Sequence, residues 1–281
     1  MHELHLKGAF DGFNGTGDIS KRMLVGPKAW PLRPWAGYHY EMLRWYDHWL
    51  KGMDTRVMEG PPIQLYIHGD DTWRSENEWP LERTQFRELF LGGGKTGHEG
   101  TLSDSSGSEQ TRRLEFDPAS TEAWHGEPRL TYRTEPMSKP MELTGPMALY
   151  LQASSSATDT DWLVFVADEA PDGKTRELCK GWLRASHRKV DAAKSTPAQP
   201  YHPHTAAEPL EPGTVYEFAI EIWPICNVFK PGHRLRLEIA NADSITASQG
   251  KPHVTIRNKA TNTIYEGGKK PSRLVIPLIP R

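Results

Sequence analysis

The chain has 281 residues, two cysteines and a formal net charge of -2, with 34 Lys and Arg against 36 Asp and Glu. That balance supplies no positive field to draw nucleic acid and no acidic tail, so neither kind of partner is expected. Cys179 and Cys226 are too few for a disulfide framework and lack metal-ligand spacing, which points to a reducing compartment, with one bridge between them as the alternative. No apolar run approaches the roughly 20 residues that span a bilayer, and MHELHLKGAF lacks a signal-peptide core. A soluble, cytoplasmic chain with a main domain and a smaller attachment is the expectation.

Residues 4–13 place Leu6, Ala9, Phe10 and Phe13 on one face of a helix. The polar turn 14-NGTGDISK-21 leads to a short apolar strand at 22–26, stopped by Gly26-Pro27. The triplet Asn14-Gly15-Thr16 matches a glycosylation acceptor, a chance match in a chain with no secretion signal. Residues 37–51 form a stronger helix, with Tyr38, Met42, Trp45 and Trp49 in one row, Leu43, Tyr46 and Leu50 beside it, and Gly52 as its stop.

After 59-EGPP-62 the texture changes to short alternating runs between Gly, Pro, Asp and Ser clusters, which places a boundary between 1–60 and 61–281. Ile63, Leu65 and Ile67 alternate with polar neighbours, as do Tyr216, Phe218, Ile220 and Ile222, and Leu235, Leu237 and Ile239. Such strands bury one face and wet the other, the pattern of an all-β sandwich or barrel. Residues 92–111, rich in Gly and Ser, and 189–213, rich in Ala, Pro and His, read as long loops.

The run from Glu41 to Leu81 (EMLRWYDHWLKGM…TWRSENEWPL), the run 154-SSSATDTDWLVFVADEAPDGKTRELCKGWLRASHR-188 and the run 227-NVFKPGHRLRLEIANAD-243 resemble the C-terminal half of the cocaine esterase and X-prolyl dipeptidyl aminopeptidase family of serine hydrolases. The resemblance implies a mainly β fold: a jelly-roll, galactose-binding-like β-sandwich at 61–281, preceded by a remnant of an α/β-hydrolase domain at 1–60. It also implies hydrolysis of esters or amides by a Ser-His-Asp triad.

Residue by residue, that triad is not found in the sequence. There is no G-x-S-x-G elbow, and the serines of 103-SDSSGSE-109 lie among loop residues. Phe10-Asp11-Gly12 looks like the family's acid site, but too few residues separate Asp11 from Gly26-Pro27, and the helical face puts Asp11 toward solvent. The histidine position holds Trp30, after Lys28 and Ala29, and an indole nitrogen is only a donor. His39 and His48 read as helix-surface histidines. No catalytic, cofactor-binding or metal-binding residue is therefore assigned.

Asp159 and Asp161 in 158-TDTD-161 read first as ligands of turn amides, with an ion or a sugar hydroxyl as the sharper alternative. His202 and His204 have a spacing able to chelate a metal, but no third ligand stands near them in sequence. Trp73, Trp79 and Trp162 fall in the β region, where packing is favoured over a carbohydrate-stacking face. Three functions compete: the C-terminal portion of a serine hydrolase, inactive alone; a stand-alone carbohydrate- or partner-binding module; and a dimerisation protein. The apolar row on 37–51 favours the first, with an N-terminal hydrolase piece or a second copy of the chain as partner.

Overall fold

The computed structural model describes residues 2–27, 34–94, 97–120, 128–243 and 259–281. It divides into two compact units, Met1–Arg83 with Cys226–Val228, and Thr84–Ile225 with Phe229–Arg281. The division lies beyond 60/61 because the first two strands of the β region pair back onto the N-terminal elements.

In the first unit, helix α1 (His2–Gly15) is followed by β1 (Met23–Val25), helix α2 (Pro34–Lys51), β2 (Ile63–Ile67) and β3 (Thr72–Glu76). β1 pairs with β2 in parallel, Met23 opposite Ile63, and β2 pairs with β3 antiparallel, Ile63 opposite Glu76. A parallel pair needs a crossover, and α2 supplies it. α2 stops as expected: Gly52 has φ +66, and the amides of Gly52 and Met53 donate to the carbonyls of His48 and Asp47, both at 3.1 Å. α1 is anchored by the face read from its periodicity, with buried Phe10 stacked on buried Trp79 at 4.2 Å between ring centroids. Asp11 points to solvent and pairs with Lys7 at 3.0 Å. Beyond β2, His68 bridges Asn227 in parallel, and a Cβ on Gly69, at φ +88, would overlap the Val228 carbonyl oxygen.

The second unit is one large, almost wholly antiparallel sheet. Its strands are β4 (Gln85–Gly92), β5 (Glu99–Ser103), β6 (Gln110–Phe116), β7 (Leu130–Arg133), β8 (Met141–Ser155), β9 (Asp161–Glu169), β10 (Thr175–Arg184), β11 (Tyr216–Phe229), β12 (Arg234–Ala240), β13 (Ala260–Glu266) and β14 (Arg273–Ile279). They run in the order β11-β10-β9-β12-β7-β5-β4-β14-β8-β13-β6, and a further pairing of β11 with β8 turns the sheet back on itself. The molecule is thus mainly β, with a barrel- or sandwich-like sheet.

The predicted alternations hold where one face is wet. Leu235, Leu237 and Ile239 of β12 are fully buried between half-buried Arg236 and Glu238. They fail in β8 and β9, which are buried on both faces along nearly their whole length. In β9, Trp162, Val164 and Val166 enter the main core while Leu163 and Phe165 pack on Ala240 and Trp182 on the other side. The Arg129 guanidinium covers the Phe165 ring at 4.2 Å. Residues 92–111 are not one loop: β5 lies inside them, held by β4 on one edge and by a parallel pairing with β7 on the other. Residues 189–213 carry no helix or strand, as expected.

One buried carboxylate ties three strands of this sheet together. Glu266, with no solvent exposure, accepts from Arg112 at 2.6 Å, from Gln110 at 2.8 Å and from the Tyr132 hydroxyl. Burial first, then the Glu266 charge, push the Tyr132 hydroxyl well above its ordinary pKa, so it remains a donor.

Glu266→Ala leaves the Arg112 guanidinium buried without its carboxylate and should cost about 3–5 kcal/mol, with Glu266→Gln costing less, as read from urea unfolding midpoints. Gly69→Ala should destabilise by about 2–4 kcal/mol, the left-handed backbone and the overlap acting together, measured as the unfolding of the first unit followed by tryptophan fluorescence.

Candidate functional site

Within the first unit, a cleft of about 770 Å³ opens between α2 and the three-stranded sheet. Its walls are aromatic and apolar: Tyr38, Met42, Trp45 and Tyr46 from α2, Met23 and Leu24 from β1, and Trp73 from β3. Tyr38 meets Trp73 edge to face at 6.0 Å, and Trp73 meets Tyr66 in the same way at 5.5 Å. Burial raises the Tyr38 hydroxyl above its ordinary pKa, which keeps it neutral at physiological pH.

The charged residues of the cleft are committed to its frame. The Arg22 guanidinium donates to the carbonyls of Val57 at 2.5 Å, Glu59 at 3.0 Å and Pro61 at 3.2 Å, fixing the chain that leads into β2. Arg44 donates to the Thr55 carbonyl at 2.9 and 3.2 Å and to Glu41 at 3.0 Å, while the Thr55 hydroxyl returns a bond to the Arg44 carbonyl. Each arginine thereby satisfies backbone acceptors of the α2–β2 connection that have no strand partner. What the cleft offers a ligand is mainly apolar area, and among the described residues its lining includes no Ser, Cys, His or Asp.

Beside the cleft the apolar row of α2 continues onto the surface. Met42, Leu43, Tyr46, Trp49 and Leu50 are all exposed, Leu50 by 77%. Five large apolar side chains on one helix form a contiguous patch of the kind that marks an interaction surface. β1 lies at the end of its sheet, and among the described residues no strand pairs with its second edge.

The other predicted residues are accounted for as follows. Lys28, Ala29 and Trp30 lie outside the described residues. His39 is exposed on α2, and the His48 ring bonds the Met53 carbonyl at 3.2 Å, completing the helix stop. Asp159 accepts from the Ser186 amide at 2.8 Å and from the Thr160 amide at 3.0 Å, the turn role expected of it. Asp161 is buried and bonded twice by Arg184, at 3.1 and 3.3 Å. Trp162 lies in the main core against Phe218, whereas Trp73 and Trp79 belong to the first unit.

His202 and His204 do have a neighbour of the kind the sequence did not reveal. The His187 ring stands 5.3 Å from that of His204, which is 5.8 Å from that of His202. The three do not make a metal centre, because both nitrogens of His202 face backbone carbonyls, and among the described residues no group of three such ligands is placed to hold an ion. Cys179 and Cys226 are both thiols. Among the described residues no helix is long and apolar enough to cross a membrane.

Comparison with known proteins places this architecture. The family model of the X-Pro dipeptidyl-peptidase C-terminal non-catalytic domain matches residues 55–275. Cocaine esterase of Rhodococcus sp. (strain MB1 Bresler) is 29% identical over 310 aligned positions that take in 98% of this chain and 51% of the esterase. The crystal structure of a CocE/NonD family hydrolase from Staphylococcus aureus superposes with a TM-score of 0.83 at 23% identity, over 98% of this chain and 52% of that one. An aminopeptidase from a marine sediment Thaumarchaeota archaeon gives 0.69 at 20% identity, over 91% of this chain and 46% of that one. The chain spans about half the length of the cocaine esterase it matches. With most of its length covered by the family model, the chain belongs to the X-Pro dipeptidyl-peptidase C-terminal non-catalytic domain family and is homologous to cocaine esterase and the CocE/NonD hydrolases.

Proposed function

We propose that this chain is the C-terminal, non-catalytic portion of a serine hydrolase that cleaves esters or X-prolyl amides. In this reading residues 61–281 are a jelly-roll sandwich of the galactose-binding type, and 1–60 are the terminal remnant of an α/β-hydrolase domain. The nucleophile, its histidine and its acid belong to a partner hydrolase portion, and the present chain does no chemistry alone. The working compartment is the cytoplasm.

The observation that carries this reading is the β1–α2–β2 crossover, with a second β1 edge that no strand among the described residues pairs. A parallel pair flanked by a helix is a unit of an α/β sheet, and such sheets are normally several strands wide with both faces covered. Here the helix instead leaves Met42, Tyr46 and Trp49 exposed beside an aromatic cleft. A hydrolase portion extending the sheet from β1 accounts for both features. In its absence a second copy of the chain is the expected cover, because apolar area gains about 25 cal/mol per Å² on burial.

Two measurements test the reading. The purified chain should release no p-nitrophenol from an activated ester and no p-nitroaniline from an X-Pro anilide above the buffer rate; a burst abolished by a serine-directed phosphonate would overturn the assignment. The chain should also sediment as an oligomer, and the double variant Trp45→Glu, Trp49→Glu should move it toward monomer with its strand circular dichroism unchanged. A wild-type chain that remains monomeric at high concentration removes α2 as a docking face.

A further inference from the structure

The strand order of the second unit has two ends, β11 and β6. β11 is closed by its further pairing with β8, whereas β6 pairs with β13 alone, and among the described residues no strand meets its other edge. Backbone N–H and C=O groups along such an edge are a template for another strand, and proteins commonly guard one with a bulge, a proline or a lysine. β6 has none of these: the sequence QTRRLEF runs in an unbroken register from Gln110 opposite Glu266 to Phe116 opposite Ala260. Its inward charge, Arg112, is already paired with Glu266 at 2.6 Å and does not repel an approaching strand.

The charges on the exposed face say which strand fits. Thr111, Arg113 and Glu115 are exposed, alternating with buried Arg112, Leu114 and Phe116. Glu115 accepts from the Thr261 hydroxyl at 2.7 Å, while the Arg113 guanidinium makes no ion pair or hydrogen bond among the described residues. In antiparallel pairing, opposite residues project to the same face, and a two-fold axis through one residue sets its two neighbours opposite each other. With the axis at Leu114, Arg113 of each copy stands opposite Glu115 of the other, twice by symmetry. An axis at Arg113 or at Glu115 would instead bring like charges face to face, which destabilises a cross-strand pair.

We propose that β6 is the contact of a symmetric dimer, in which two copies of this chain pair antiparallel about Leu114 and join their sheets edge to edge. Main-chain hydrogen bonds supply the attraction, and the two Arg113–Glu115 pairs fix the register. This contact uses neither α2 nor β1, so it stands apart from the partner surface of the first unit.

Sedimentation and amide hydrogen exchange of the whole chain, each followed over a range of protein concentrations, test this. The wild-type chain should form a dimer, and peptides covering 110–116 should gain protection as concentration rises, while those of β9 and β12 do not change. Arg113→Glu sets like charges opposite each other twice and should raise the dimer dissociation constant about tenfold or more. Adding Glu115→Arg restores opposite charges at both positions and should recover the dimer. The variant Trp45→Glu, Trp49→Glu should leave the concentration dependence of 110–116 unchanged, because association through α2 protects residues 37–51 instead. Protection of 110–116 that does not depend on concentration, as when another segment of the same chain covers the edge, overturns the proposal. So does an Arg113→Glu chain that dimerises like the wild type, or a double charge reversal that pairs no better than Arg113→Glu alone. Should Arg113→Glu fail to fold, the concentration dependence of the wild-type 110–116 peptides decides.

Discussion

A carboxylate with no exposure to water must have its charge met by donors, and Glu266 meets that demand by drawing Arg112, Gln110 and Tyr132 to one point. Those donors come from β6 and β7, the acceptor from the end of β13, and the partners are separated by more than 130 residues of chain. The Arg112 guanidinium also bonds the Gly93 carbonyl just after β4. One charge pair thus fixes how far four strands approach, and with them the width of the apolar core that Leu114, Tyr132, Leu143 and Ile264 share. Such a pair adds little net stability over an apolar replacement, but it penalises every arrangement that leaves it incomplete.

The two compact units solve different problems. In the second, the β11–β8 pairing turns the sheet back on itself, so few backbone edges are left to attract another chain. A ladder of alternating charges from Arg129 through Glu238, Arg236, Glu169 and Arg133 crosses β12, β9 and β7 on its outer face. That ladder keeps the face wet while pairing its charges. In the first unit no strand among the described residues pairs with the second edge of β1, and α2 keeps much of its apolar row in solvent. Carboxylates there serve the frame: burial pushes Glu76 up, and Arg83 and Arg74 more than reverse it, holding it below its ordinary value.

Much of this was legible in the sequence because it depends on local periodicity. The period of two across Ile63, Leu65 and Ile67 and across Leu235, Leu237 and Ile239 sets which face of each strand is apolar, whatever covers it. The helical spacing of Phe10 and the Gly stop at Gly52 are likewise local. β5 was not legible, since five residues among Gly and Ser have no pattern of their own and become a strand only through pairing with β4 and β7. The double-sided burial of β8 and β9 was also invisible, because alternation cannot report a second covering layer.

The same division governs the functional residues. The sequence alone determined the family resemblance, the alternating strands and the apolar row of α2, because residue type and spacing carry them. Tertiary structure decided the rest. It assigned Trp73 to an aromatic cleft and Trp162 to the core, brought His187 to His204, and placed a carbonyl on each side of His202. Those outcomes depend on which distant backbone groups meet a side chain, and a hydrogen bond or a ring contact between segments leaves no periodic trace in either one.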